Sequence, residues 1–227
     1  MCGVCATVCP SEALEVIGDI LTPEEVFQEV AKDTVFYDTS GGGVTFSGGE
    51  PIAQAKFVKE AAVLCRRAGI HVALDTCGAV AWEEYEQVLK EVDLVLYDLK
   101  ILDQERHRVS TGMDNKLILD NARHISKSGI PMWIRTPVIP GFTADHENIA
   151  SLGEFISSEL PSVERWELLA YTNLGQPKYH RLEQPYALEG VPLVTQAEME
   201  AIYSVAVQRA EMAVWSGATR IQDKKAS

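Results

Sequence analysis

Basic residues are scarce in this 227-residue sequence: 20 Lys and Arg stand against 33 Asp and Glu, a formal net charge of −13. A surface this acidic repels phosphate backbones and anionic lipid, which excludes nucleic-acid and membrane-surface binding as expectations. No stretch reaches the ~18 consecutive apolar residues of a membrane span. The start of the chain has no basic segment followed by a short apolar core, so no secretory signal is read and the expected compartment is cytoplasmic. Cysteines number five, and an odd count in a signal-free chain argues against a disulfide framework. Neither the P-loop nor the Rossmann glycine pattern occurs. Hydrophobic residues at 46% and charged ones at 23% are ordinary for a globular chain, which sets aside disorder, collagen and coiled coil.

What is present is an alternation. Short apolar, β-rich runs at Val35–Tyr37, Val44–Phe46, His71–Leu74, Leu94–Tyr97, Met132–Thr136, Trp166–Leu169 and Met212–Trp215 read as strands. Between them, Ile52–Ala68, Ala81–Lys90, Lys116–Lys127, Asp145–Leu160 and Thr195–Arg209 read as amphipathic helices. Val72–Leu74 and Leu94–Leu96 are nearly continuous hydrophobic runs, the pattern of parallel strands buried on both faces. Repeated strand–helix alternation predicts a parallel α/β fold. Thr22-Pro23-Glu24-Glu25 and Thr195-Gln196-Ala197-Glu198 carry capping-box spacing at helix starts, and Gly69 falls where a helix C-cap belongs. Asn173–Pro192, rich in Gly, Pro and Tyr, reads as a long loop. The boundaries predicted are a front segment 1–21, a main domain 22–221 and a frayed tail 222–227.

Three groups of residues could carry chemistry. Cys2, Cys5 and Cys9, followed by Pro10, match the end of a bacterial ferredoxin run, C-x2-C-x2-C-x3-C-P. A zinc knuckle or plain reduced thiols are the alternatives. Gly41-Gly42-Gly43-Val44-Thr45-Phe46-Ser47-Gly48-Gly49-Glu50-Pro51 ends a short strand in a turn without Cβ atoms, which lets backbone approach a ligand closely. Glu50 adds a carboxylate suited to an ammonium group; the alternative is a helix-start Glu favoured by the dipole. Polar residues then recur where strands end: Asp75-Thr76, Asp98-Leu99-Lys100, Arg135-Thr136 and Thr172-Asn173. In (β/α) barrels the C-terminal strand ends form the active face, so one shared site is expected. The five histidines show no ligand spacing, and Cys65 and Cys77 read as small buried side chains.

With these motifs in hand, the sequence resembles the glycyl-radical-enzyme activating enzymes, the pyruvate formate-lyase activating enzyme-like family of the radical S-adenosylmethionine superfamily. The resemblance runs from Gly42 to Trp215 through GGVTFSGGEP, GIHVALDTCG, DLVLYDLK, WIRTPVIPGF, LGEF, ELLAYTNLGQPKY and MAVWSG. The front CGVCATVCP is similar to the ferredoxin-like iron–sulfur insert of some members. The resemblance implies a partial parallel (β/α) barrel with S-adenosylmethionine across its strand ends. Gly48, Gly49 and Glu50 would take the methionine amino group. Asp98, Leu99 and Lys100 would line the ligand, with Lys100 and Arg135 toward its carboxylate, and Thr172 stands where another member has a ligand-contacting His. Asp75, Thr76, the Tyr97 carbonyl and Asp98 match a monovalent-cation site. In the family, a reduced [4Fe-4S] cluster cleaves S-adenosylmethionine to a 5′-deoxyadenosyl radical, which takes hydrogen from a glycine of a partner glycyl radical enzyme. The electron comes from a donor such as flavodoxin or ferredoxin.

One element of the pattern is missing. The family's catalytic cluster needs C-x3-C-x2-C, and these 227 residues contain none; the front cysteines run x2 then x3. The expectation is a chain truncated within its ferredoxin-like insert, lacking the first strand, and unable to cleave S-adenosylmethionine by itself. Such a chain leaves an open sheet edge, which predicts aggregation or an oligomer covering it. Two other readings stay open: a non-catalytic module that binds S-adenosylmethionine or a partner enzyme, and another radical S-adenosylmethionine reaction on a small substrate.

Overall fold

The computed structural model describes residues 3–16 and 18–220. Cys2 and the tail 222–227 therefore lie outside the described residues. A one-turn helix α1 (Val4–Thr7) opens the chain, followed by α2 (Pro23–Val30) and α3 (Thr34–Ser40). Strand–helix units then succeed one another: β1 (Gly43–Phe46), α4 (Ala55–Arg67), β2 (His71–Thr76), α5 (Trp82–Val88), β3 (Leu94–Asp98), α6 (Gln104–Thr111) and α7 (Lys116–Lys127). The chain continues through β4 (Met132–Val138), α8 (His146–Glu159), β5 (Val163–Ala170), α9 (Gln176–Arg181), α10 (Gln196–Val207) and β6 (Ala213–Ser216). All neighbouring strands pair in parallel, in the order β1-β2-β3-β4-β5-β6, so sequence neighbours are spatial neighbours and β1 is an edge. Among the described residues no helix is long and apolar enough to cross a membrane.

The helix signals hold. Thr22 and Thr195 each accept from the backbone N–H of the third helical residue, Glu25 or Glu198, whose carboxylate takes the threonine N–H in return. Gly69 has φ +76° just beyond α4, and Ile70 N–H closes the helix end on the Cys65 carbonyl at 3.0 Å, a glycine-dependent stop. Burial alternates strictly along β4: Met132, Ile134, Thr136 and Val138 are buried, while Trp133, Arg135 and Pro137 are half-buried. One face thus joins the core, with Tyr97, Trp166, Leu74 and Leu168, and the other keeps access to water.

Three expectations need correction, and one helix went unread. Val35–Tyr37 is helix, not strand: it lies in α3, where the Thr39 and Ser40 hydroxyls bond back to the Val35 and Phe36 carbonyls. Three β-prone residues without a partner strand do not override local helical bonding. β3 is not covered on both faces, because Leu94 and Leu96 are only half-buried. The stretch 173–192 is not loop throughout, since α9 lies in it with Pro177 in its first turn, where a missing N–H costs nothing. The unread helix, α6, carries no apolar periodicity and buries only His107; its signals are Asp103, which caps Arg106 N–H at 2.7 Å, and Gly112, which closes its end at φ +85°.

Candidate functional site

Parallel pairing brings the C-terminal tips of successive strands side by side, and there the polar residues meet. Asp98 ends β3 in register with Arg135 of β4, which is in register with Glu167 of β5. Arg135 Nη2 donates to Asp98 Oδ1 at 3.0 Å, and Nε reaches the same oxygen at 3.3 Å. The same Nη2 also donates to Asp75, at the end of β2. Lys100 Nζ lies 3.5 Å from the other Asp98 oxygen. Four charges on three adjacent strands therefore form one array, each side chain between about a fifth and a third exposed: 23% for Asp75, 25% for Asp98, 22% for Arg135 and 34% for Lys100.

Burial and charge compete in this array. Desolvation pushes the Asp75 carboxyl above its ordinary value; Arg135 pulls it back, and Asp98 and Glu50 push it up further. Burial works against the Arg135 charge, but Asp98 and Asp75 outweigh it and hold the guanidinium more firmly protonated than usual. The Thr76 hydroxyl, on the residue after Asp75, donates to Glu50 at 2.8 Å and brings the loop after β1 beside this array.

Glu50 itself is densely bonded. Its carboxylate accepts from Ile52 N–H at 3.1 Å, Thr76 Oγ1–H at 2.8 and 2.9 Å, Cys77 N–H at 3.0 Å and the Cys77 thiol at 3.1 Å. The bond to Ile52 caps the helical turn Pro51–Gln54. Those to Thr76 and Cys77 tie the loop after β1 to the tip of β2. Burial first, and then the bond to Glu50, push the Cys77 thiol up, keeping its proton in place to donate. Just before Glu50, Gly48 has φ +132°, a region that L side chains rarely adopt, and a Cβ on Gly48 or Gly49 would meet nothing within 4 Å. The glycine backbone is thus open on the side where a side chain would otherwise stand.

The remaining expected residues fall differently. Leu99 turns its side chain into the core at 2% exposure. Its N–H donates to the Arg135 carbonyl, and its own carbonyl accepts from Thr136 Oγ1, so it presents no free polar group. Thr172 is exposed just beyond β5. Asp75 and Asp98, expected around a monovalent cation, are bridged by the Arg135 guanidinium, and the Thr76 hydroxyl is directed to Glu50. Cys5 and Cys9 are free thiols. The half-buried Cys9 thiol is lowered to about 7, chiefly by its hydrogen bond with Ser11. Among the described residues no three His, Cys, Asp or Glu side chains converge on a point that could hold a metal. Sequence reasoning passed over Tyr85, whose phenol stands 2.7 Å from Thr76 Oγ1. On a helix whose inward positions are apolar, a buried Tyr looks like any core residue, so no local signal marked it.

An S-adenosylmethionine headgroup carries an ammonium and a carboxylate. The opposite charges of Asp98 and Lys100 and the open Gly48–Gly49 backbone suit both. Among the described residues an iron–sulfur cluster finds no such fit: Cys5, Cys9, Cys65 and Cys77 do not gather at a point that could hold a metal, and the 227 residues contain no C-x3-C-x2-C.

Comparison with known proteins gives the family and the fold. The Radical SAM superfamily model matches residues 2–153. The isethionate sulfite-lyase activating enzyme of Oleidesulfovibrio alaskensis is 42% identical over 207 residues, 90% of this chain and 66% of that protein. The pyruvate formate-lyase 1-activating enzyme of Escherichia coli K12 is 37% identical over 195 residues, 84% of this chain and 78% of that protein. The chain spans about two thirds of the length of the isethionate sulfite-lyase activating relatives it matches. Among solved structures, a domain of pyruvate-formate lyase-activating enzyme from Bacteroides vulgatus superposes with a TM-score of 0.64 at 30% identity, covering 78% of this chain and 99% of that one. Streptococcus suis SuiB bound to S-adenosylmethionine gives 0.67 at 13% identity, covering 89% of this chain and 45% of that one, a likeness of fold alone.

Proposed function

Because the chain belongs to the glycyl-radical-enzyme activating enzymes of the radical S-adenosylmethionine superfamily, we propose that its strand-tip array is an S-adenosylmethionine site serving the activation of a partner glycyl radical enzyme. The observation that carries this is the convergence of Asp75, Asp98, Lys100 and Arg135 beside the Glu50 loop. In this reading the Gly48–Gly49 backbone and Asp98 receive the methionine ammonium, Lys100 faces the carboxylate, and Arg135 fixes both aspartates. Thr172 lies at the rim. Asp75, Thr76 and Asp98 remain candidates for a monovalent cation only where Arg135 gives way. In the family's complete reaction, S-adenosylmethionine would supply the hydrogen-abstracting chemistry directed at a glycine of the partner only after one-electron cleavage at a cluster. The protein's own share is orientation and exclusion of water.

The residues do not fit a catalytic cluster, so the 227 residues are proposed to bind S-adenosylmethionine without cleaving it. An electron donor such as flavodoxin or ferredoxin belongs to the proposal for the family's complete reaction. The six parallel strands are proposed as part of a radical S-adenosylmethionine partial barrel, and the segment carrying Cys5 and Cys9 as part of a ferredoxin-like insert.

Isothermal titration with S-adenosylmethionine tests the site: saturable binding is expected, weakened by Asp98→Asn, and its absence overturns the reading. Incubation with iron, sulfide, dithionite and S-adenosylmethionine tests the second part. No 5′-deoxyadenosine is expected, and its formation overturns the claim of binding without cleavage.

A further inference from the structure

Resting on that reading of the site, we propose that Tyr85 is a positioning residue: through Thr76 it holds the Glu50 carboxylate, and with it the Gly48–Gly49 turn, in the arrangement that receives S-adenosylmethionine.

Counting protons fixes the direction of the chain of bonds. Thr76 Oγ1 carries one hydrogen and two lone pairs. Glu50, a carboxylate, can only accept, so the Thr76 hydrogen points to it, at 2.8 and 2.9 Å from its two oxygens. The two lone pairs then accept from Gly78 N–H at 3.1 Å and from the Tyr85 phenol at 2.7 Å. Donation therefore runs from Tyr85 to Thr76 to Glu50, and the Thr76 oxygen is fully used. Tyr85 is 0% and Thr76 2% exposed, so no water replaces either bond, and each bond polarises the next in the low-dielectric interior.

Packing alone does not call for that phenol. A Phe would fill the same space on α5, and a buried hydroxyl costs desolvation unless it is bonded. Its bond goes to the residue that steers Glu50. Glu50 in turn has four donor groups around it: Ile52 N–H, the Thr76 hydroxyl, Cys77 N–H and the Cys77 thiol. A carboxylate offers about four lone-pair sites, so these donors leave it little capacity for a ligand ammonium. Its work is to anchor. One carboxylate latches the loop after β1 onto the tip of β2, and the relay from α5 sets where that latch sits. The open glycine backbone, immediately before Glu50, is what the latch presents.

The test combines titration of S-adenosylmethionine with amide hydrogen exchange of the ligand-free chain. Tyr85→Phe is isosteric and is expected to unfold with unchanged cooperativity. It should raise the S-adenosylmethionine Kd about 3- to 10-fold, the span of one neutral hydrogen bond. It should also speed exchange at the Ile52 and Cys77 amides, which donate to Glu50. Thr76→Val is expected to do the same, and Thr76→Ser to restore the parent Kd to within about twofold. In a Glu50→Gln background, Tyr85→Phe should change nothing further. Equal weakening in both backgrounds, or a Kd within about twofold together with unchanged exchange, overturns the relay. If the unaltered chain does not bind S-adenosylmethionine, the proposed function fails and the ligand role of the relay fails with it. Exchange at Ile52 and Cys77 then still reports whether Tyr85 holds Glu50.

Discussion

Arg135 grips Asp98 with two nitrogens on one oxygen, Nη2 at 3.0 Å and Nε at 3.3 Å, across paired positions of β4 and β3. The second aspartate on Nη2, Asp75, makes this guanidinium a countercharge that bonds both carboxylates.

Arg135→Met should therefore destabilise the fold at neutral pH by roughly 2 kcal/mol, less than the ~3–5 kcal/mol of a fully buried pair because part of each side chain remains in water. The loss depends on pH. The folded Asp75 carboxyl lies above its ordinary value of 3.8, so the favourable balance of the protonated form is complete below that value and is lost as pH rises through the folded pKa. Removing Arg135 takes away a lowering influence and raises the folded pKa further. Urea unfolding should show a smaller penalty near pH 4 than at pH 7. A penalty independent of pH would show that the aspartates do not sense the guanidinium.

Gly78 admits no side chain. A Cβ there would stand 1.8 Å from the Tyr97 phenol oxygen, at φ +77°. Tyr97 is fully buried, and its hydroxyl donates to the Ile118 carbonyl at 2.6 Å, so it cannot move aside cheaply. Gly78→Ala should cost about 3 kcal/mol or more, from overpacking and left-handed strain together. Thermal unfolding reads this; a melting temperature equal to the parent's would contradict it.

The thiols should separate by reactivity. Cys9 is half-buried with its pKa lowered to about 7, whereas burial raises Cys65 and Cys77. Iodoacetamide at about pH 7.5 should label Cys9 well before either, because the thiolate is the nucleophile. Peptide mass spectrometry over time would show the order, and Ser11→Ala should slow the Cys9 step. Labelling of Cys77 as fast as Cys9 would mean that its bond to Glu50 is not formed.

Lys100→Met probes the proposed ligand site. With its ammonium 3.5 Å from Asp98, Lys100 is one of two cations in the array, and the one free to face a ligand carboxylate. Its loss should weaken S-adenosylmethionine binding roughly tenfold, with a shallower dependence on salt than the parent. Calorimetry at two ionic strengths measures both, and an unchanged affinity removes Lys100 from the site.

The sequence by itself determined the order of elements and the places where polar residues would gather. Period-2 and period-3.6 patterns report which residues enter the core, and capping boxes at Thr22 and Thr195 report where helices start, because both depend on neighbours within a few positions. The glycine-rich run and the recurring strand-end polar residues were legible for the same reason. Tertiary structure decided what those residues do to one another. Nothing local told Val35–Tyr37 that no strand awaited it, and α6, with caps at Asp103 and Gly112 but no apolar periodicity, gave no pattern to read. Only the parallel register sets Arg135 between Asp75 and Asp98, and only the packing of α5 under the β2 tip brings Tyr85 to Thr76. Glu50 shows the division most clearly: its carboxylate is readable as a charge near a glycine turn, but whether it meets a ligand or a ring of protein donors depends on residues 26 and 27 positions away.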